Sequence, residues 1–203
     1  MYQIFKTEEM TEKENLLNDL KSDELEKRLY AADDLFEFLD ESVIYELISA
    51  LEKEKEQIVK EVIVTSLTEG VRREESFTDH TYSYLFHFFK LDDEYLRNQT
   101  ITILGAGKNN VVQFLKSKYE SSDKDVRKLI LDTLLLIKSP EAIEVLRVAL
   151  IDEDINNQIT AIEYLATLND SQLVNHLESI LANKFTSELM LVQVAEAALQ
   201  MLK

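Results

Sequence analysis

The segment VRKLILDTLLLIKSPEAIEVLRVAL (126–150) decides the fold. Val126, Ile130, Leu131 and Leu134 fall at helical spacing and share one face. Ser139 then suits a helix N-cap and Pro140 the first position of a new helix. Ile143, Leu146 and Leu150 give that second helix an apolar stripe of its own. A helix, a turn and a helix, each apolar on one side, form a unit that buries its core only by stacking on others like it.

The same unit recurs outward from this stretch. KRLYAADDL (27–35), IVKEVIVTS (58–66), LRNQTITIL (96–104), VRKLILDTL (126–134) and NQITAIEYL (157–165) align. Their second positions are Arg28, Val59, Arg97, Arg127 and Gln158, spaced by 31, 38, 30 and 31 residues. Apolar pairs or near-pairs follow at Ala31–Ala32, Val62–Ile63, Thr100–Ile101, Ile130–Leu131 and Ala161–Ile162. The second helices align as well: Ile44, Leu47 and Leu51 match Ile143, Leu146 and Leu150, and then Val174, Leu177 and Leu181. Val112, Leu115 and Tyr119 follow after a one-residue deletion. Asp123 and Asp170 stand where N-caps belong, and Gly105 and Gly107 where a C-cap takes positive φ.

Composition agrees. The 203 residues include three Gly and one Pro, too few for the turns of a β-rich chain, and 45% are hydrophobic. The expected fold is an all-α superhelix. It is read as a single domain over 1–203, with a leading helix in 1–21, about five helix pairs in 22–183 and a capping helix in 186–203. In that last helix Leu189, Val192, Ala195, Ala198 and Leu199 form the stripe expected to be buried. The second pair is eight residues longer than its neighbours, and the surplus reads as an inserted loop at 70–80.

The absence of Cys removes disulfides and thiolate chemistry and suits a reducing compartment. The N-terminus turns acidic by Glu8 without an apolar core, and no apolar run reaches the length of a membrane span. A cytoplasmic protein is expected. Lys plus Arg number 22 against 39 Asp plus Glu, a net charge of −17, which disfavours nucleic acid and anionic membrane as partners. Residues 1–96 hold 25 acids and 11 bases, and residues 97–203 hold 14 and 11. One reading of this asymmetry is solubility; the other is that the N-terminal half faces a protein partner with a basic edge.

The fourth unit, with Val126, Arg127, Ile130, Leu131 and Leu134 followed by Ser139-Pro140-Glu141-Ala142, resembles the HEAT family. It is particularly similar to the short HEAT-like units of phycobilisome-lyase-type proteins. The resemblance implies the helical array, and it implies that Arg28, Arg97 and Arg127 form a structural ladder pairing with an acid or helix end nearby, for which Asp93, Asp123 and Asp125 are close in sequence. A ladder gripping an anionic partner is the other reading of these arginines.

Functional candidates are few. Tyr84, Phe86 and His87 fall at second-helix positions that are often polar elsewhere. With Phe114, and with Arg72 and Arg73 from the inserted segment, they form the expected partner-binding surface. The alternative is that the segment carrying Phe77 folds back over them. His80, His87 and His176 lack a helical-spaced His partner and none precedes a Glu, so the iron motif of the HEAT-type deoxyhypusine hydroxylases is absent, and no metal or cofactor is expected. ILGAGKNN (103–110) reads as a turn between helices and not as a dinucleotide fingerprint. The function expected is a non-catalytic protein-binding scaffold. The alternative is a bilin lyase-like or tetrapyrrole-handling accessory protein.

Overall fold

The computed structural model describes the backbone of residues 2–73, 76–183 and 188–202, and side chains from Thr11 onward. Among these residues there are twelve α-helices and no strand. The chain divides into two compact units, Met1–Gly107 and Lys108–Lys203, and the boundary falls between the two helices of the third pair.

The first unit holds α1 (Tyr2–Asp19), α2 (Leu25–Asp34), α3 (Glu41–Lys53), α4 (Gln57–Arg73), α5 (Asp79–His87) and α6 (Glu94–Gly105). First helices pack on first helices, α2 on α4 and α4 on α6, while the second helices α3 and α5 pack side by side. Two layers of helices result, with Ile44, Leu47, Leu51, Ile63, Leu67 and Leu85 fully buried between them. The second unit repeats the arrangement with α7 (Asn109–Tyr119), α8 (Lys124–Ile137), α9 (Pro140–Val148), α10 (Ile155–Thr167), α11 (Leu173–Ala182) and α12 (Leu189–Met201). There α8, α10 and α12 stack in turn, and α7 packs on α9. In α12, Val192, Ala195 and Ala198 are buried, but Leu189, expected in the same stripe, is 70% exposed.

The helix starts follow local chemistry. Asp40, Asp93, Asp123, Ser139 and Asp154 each accept backbone N–H groups of the turn they open. Pro140 occupies the first turn of α9. Three expectations are corrected. Asp170 stands ahead of the cap position of α11, which is Gln172: it is buried, Arg147 takes both its oxygens at 2.8 and 2.6 Å, and Oδ1 also accepts the Gln172 N–H at 3.4 Å. No glycine described has positive φ. The left-handed residues are Ser76, Lys138 and Asn169, and Lys138 ends α8. Gly105 instead stays helical, and α6 closes by tight turns, Ala106 N–H to Ile103 O and Gly107 N–H to Leu104 O. The surplus of the second pair is mostly helix: α4 runs to Arg73 and α5 starts at Asp79, so the loop expected at 70–80 is short, with Glu74 and Glu75 outside the described residues. Gly70 lets α4 approach its neighbours closely: a Cβ there would lie 3.0 Å from the Leu39 side chain and 3.1 Å from the Phe77 ring, which would have to give by a few tenths of an ångström.

The ladder positions tie helix starts to the loops around them. Arg28 donates to Ser22 O and Asp23 O, Arg97 to Leu91 O, Arg127 to Ser122 O, and Gln158 to Asp152 O. Each reaches a carbonyl of the loop that enters its own helix. Two arginines then clasp a carboxylate in the loop beyond their pair: Arg28 holds Glu54 at 2.8 and 3.2 Å, and Arg127 holds Asp152 at 2.8 and 2.7 Å. The partners differ from the acids nearest in sequence, since Asp93 and Asp123 are occupied as caps. Among the described residues, the one ion-pair partner of Arg97 is Asp92, at 3.9 Å. Asp152 also accepts from Tyr119 Oη at 2.5 Å. Burial works against its charge, but Arg127 and Tyr119 outweigh that and hold its carboxyl below the usual range.

Two predictions follow from these ties. Asp152→Ala removes the bidentate carboxylate from the buried Arg127 guanidinium and leaves it the exposed Glu153 at 3.1 Å; breaking a buried pair costs up to about 3–5 kcal/mol, and urea unfolding of the variant measures it. The second concerns α1, which is tied to the start of α3 by Lys13 on Asp40. Burial opposes the charged form of Asp40, yet Lys13, Ser42 and the Val43 N–H hold its carboxyl at about 2, below the ordinary 3.8. A depressed carboxyl stabilises the fold fully above its ordinary value and loses that contribution as pH falls through the folded one. Protection of the α1 amides, corrected for intrinsic exchange, should therefore fall between about pH 4 and pH 2. Lys13→Met should lower it at neutral pH and flatten this dependence.

Candidate functional site

The site is built on the outward faces of α3 and α5. Val43, Ile44, Leu47, Ile48 and Leu51 turn one side of α3 into the core with no exposed surface. The helical period then leaves Tyr45, Glu46, Ser49 and Glu52 on the other side. The start of α5 is set by a reciprocal capping box, Thr78 with Thr81, while Tyr82, Leu85 and Phe86 turn inward. His80 and part of Tyr84 are left facing α3.

The outward residues meet as a file of rings. Tyr45 stacks on His80, with centroids 5.5 Å apart and planes 5° from parallel. On Tyr84 it tilts by 47° at 4.9 Å, and Tyr84 meets Phe88 edge-on at 5.8 Å. Tyr45 is 41% exposed. Tyr84 Oη donates to Glu52 Oε2 at 2.8 Å, and burial followed by the Glu52 charge pushes its hydroxyl up to about 12. His80 Nδ1 lies 3.8 Å from Glu41 Oε1, and Thr78 Oγ1 donates to the same carboxylate at 2.7 Å.

Two hollows meet at Tyr45 and Glu46. One, of about 660 Å³, is walled by Leu17, Asp40, Glu41, Ser42 and His80. The other, of about 690 Å³, runs past Ser49 and Ala50 to Arg28 and Glu54. Their electrostatics differ. The first has three carboxylates and no Lys or Arg in its described wall. In the second, Lys21, Arg28, Lys53 and Lys55 balance Asp23, Glu46, Glu54 and Glu56. The ion pair joining Lys21 to Glu46 at 2.9 Å is exposed at the lysine and half-buried at the glutamate.

The residues predicted from sequence are dispersed. Tyr84 lies within the file of rings, half-buried. His87, on the same helix, is exposed. Phe86 is 6% exposed and packs edge-on against Phe89 at 5.5 Å, so it belongs to the core and not to a surface. Phe114, in the second unit, is likewise 6% exposed, with Lys118 over its ring. Arg72 and Arg73 turn back on Glu69 of their own helix, and Arg73 covers Phe36 at 4.6 Å. Phe77 does fold back, though onto Tyr82, at 5.6 Å. Sequence reasoning passed over Tyr45 and His80. The available signal was a tyrosine directly after the buried Ile44, on the polar side of an otherwise regular stripe. Among the described residues no three His, Asp or Glu gather as a metal-binding set, and no helix is long and apolar enough to cross a membrane.

No curated protein matches the sequence. Among solved structures, the chain is similar to an engineered protein at 20% identity, covering 94% of this chain and 96% of that one, with a TM-score of 0.40. It is similar to a designed armadillo repeat protein in complex with the peptide (KR)4 at 13% identity, covering 93% and 98%, with a TM-score of 0.40. A third likeness is to the complex of CpcE and CpcF of phycocyanin lyase from Nostoc sp. PCC7120, at 18% identity, covering 90% and 74%, with a TM-score of 0.43. The HEAT repeats family model matches residues 112–200, from within α7 through α12. Over that stretch the chain is similar to HEAT repeats, and it is there that α8, α10 and α12 stack in turn and Arg127 clasps Asp152.

Proposed function

We propose that this protein is a non-catalytic binding scaffold and that its partner, a protein with a basic edge, docks on the α3–α5 face of the first unit. The observation carrying this reading is Tyr45, a large ring left 41% exposed where two hollows meet. Aromatic side chains at the centre of a concave, polar-rimmed surface are what interface anchors look like, because they bury much area at little entropic cost. The acid excess of residues 1–96, 25 against 11 bases, supports a partner of opposite charge through faster encounter and orientation. The reading assigns no residue a chemical step. The tetrapyrrole alternative would need a groove lined by Tyr, Phe and Arg, and burial of Phe86 and Phe114 leaves it less to work with.

The test is a photo-crosslinker at position 45 in the full chain, used in lysate of the native host and read by mass spectrometry. One dominant protein should be captured, and Tyr45→Ala/Tyr84→Ala in a separate pull-down should lose it while keeping the wild-type helicity. Phe86→Ala is the contrast: as a core truncation it should cost about 3–5 kcal/mol of stability and lose binding only through the fold. If the double variant retains the partner, the face is wrong. If added bilin changes its absorption on mixing with the protein and no protein is captured, the tetrapyrrole reading replaces this one.

A further inference from the structure

We infer that the docking segment is an extended, arginine-containing stretch of about six residues, taken in preference to a lysine-containing one. This rests on the reading that the α3–α5 face binds protein, and it adds which chemistry the face selects. The length comes from the furrow. The two hollows lie end to end along α3, whose 13 residues rise about 1.5 Å each to give roughly 20 Å. Extended chain covers about 3.3–3.6 Å per residue, so about six residues fill that run.

The preference comes from what surrounds Tyr45. Tyr45 and His80 present exposed, near-parallel rings, and Glu41 and Glu46 stand beside them on the same face of α3. A guanidinium is flat, stacks on aromatic surface, and forks two N–H groups onto a carboxylate. A lysine ammonium is a compact, strongly hydrated charge that uses the carboxylates but gains less from the rings. The Glu46 carboxylate is open to exchange, while Glu41 already accepts from Thr78 Oγ1 at 2.7 Å. Lys21, which holds Glu46, is 60% exposed, and surface pairs of this kind contribute little. An incoming arginine therefore displaces Lys21 without a buried charge being stranded. The other hollow, charge-balanced by its own lysines, takes the remainder of the segment through its backbone and small side chains, over Ser49 and Ala50.

The experiment uses the full-length protein and blocked six-residue peptides of alternating Arg-Ser, Lys-Ser or citrulline-Ser, with binding read by fluorescence anisotropy at low and at 0.3 M salt. The arginine peptide should bind about tenfold more tightly than the lysine peptide, and the citrulline peptide more weakly than both. Tyr45→Leu should remove most of the arginine-over-lysine ratio, while Glu41→Gln/Glu46→Gln should weaken both peptides together. Equal affinity for arginine and lysine, or a ratio untouched by Tyr45→Leu in a folded variant, overturns the inference. If none of the peptides binds but the crosslinker at position 45 still captures its partner, the arginine inference fails and the scaffold reading stands. If that capture fails as well, both fail together.

Discussion

No helix of this protein has enough of its own to stay folded in water. The described helices run from 9 to 18 residues, and isolated helices of that length are marginal even with favourable sequences. Each therefore depends on burying its apolar stripe against the helices stacked on it, and a single pair has no closed core. This constraint explains why α2, α4 and α6, and again α8, α10 and α12, lie against one another with residues such as Ala32, Ile63, Ile103, Leu131, Leu165 and Ala195 fully buried. Stacking by apolar contact alone leaves the register between pairs loose, since such contact is non-directional. The guanidinium clasps supply direction. Arg127 reaches back to Ser122 O and forward to Asp152, 25 residues on, and so fixes where one pair ends and the next begins.

The fold was legible because its signal is periodic. Arg28, Arg97, Arg127 and Gln158, followed by small or apolar residues three and four positions later, report the same helix face each time, and any one failure is outvoted by the others. What was not legible depends on contacts made across loops. Nothing in the spacing marks Asp152 rather than Asp125 as the partner of Arg127; the loop backbone brings it there. Asp170 has the composition of a cap and stands near the start of α11, yet its carboxylate serves mainly Arg147, at 2.8 and 2.6 Å, and reaches the Gln172 N–H at a longer 3.4 Å, since bidentate charged pairs are the stronger bonds. Glycine was the natural choice for a left-handed helix end, yet Lys138 and Asn169 adopt it. A preference of about 1 kcal/mol or so is overridden when the chain must turn between two packed helices.

The site was half legible for a related reason. Aligning the second helices placed Phe86 in register with Ile48, and Ile48 is itself buried because it faces the adjoining layer. A second helix in a stacked array has two buried directions, one toward its own pair and one toward the next repeat. A stripe of single width, read from Ile44, Leu47 and Leu51, misses the second. Tyr84 lies at the edge of that second direction, which is why it is half-buried and bonded to Glu52. Tyr45 lies beyond it. The correct rule widens the buried arc of a second helix to include the Ile48 position, and it leaves Tyr45 as the large side chain of α3 with nowhere to go but outward.

The charges of the first unit divide along the same line. Arg28 with Glu54 is shielded, at 17% and 6% side-chain exposure, whereas Lys21 with Glu46 is exposed at 60% and 33%. Salt and water weaken exposed ion pairs of this kind, which contribute little, and act much less on buried ones. The clasp at the loop junction therefore keeps the repeat in register under conditions that loosen the pair at the hollow. Within the second hollow, Glu54 thus holds the fold while Glu46 is the carboxylate ready to exchange. That separation lets the outer face be rich in charge and ready to exchange partners, while the stacking beneath it keeps its geometry.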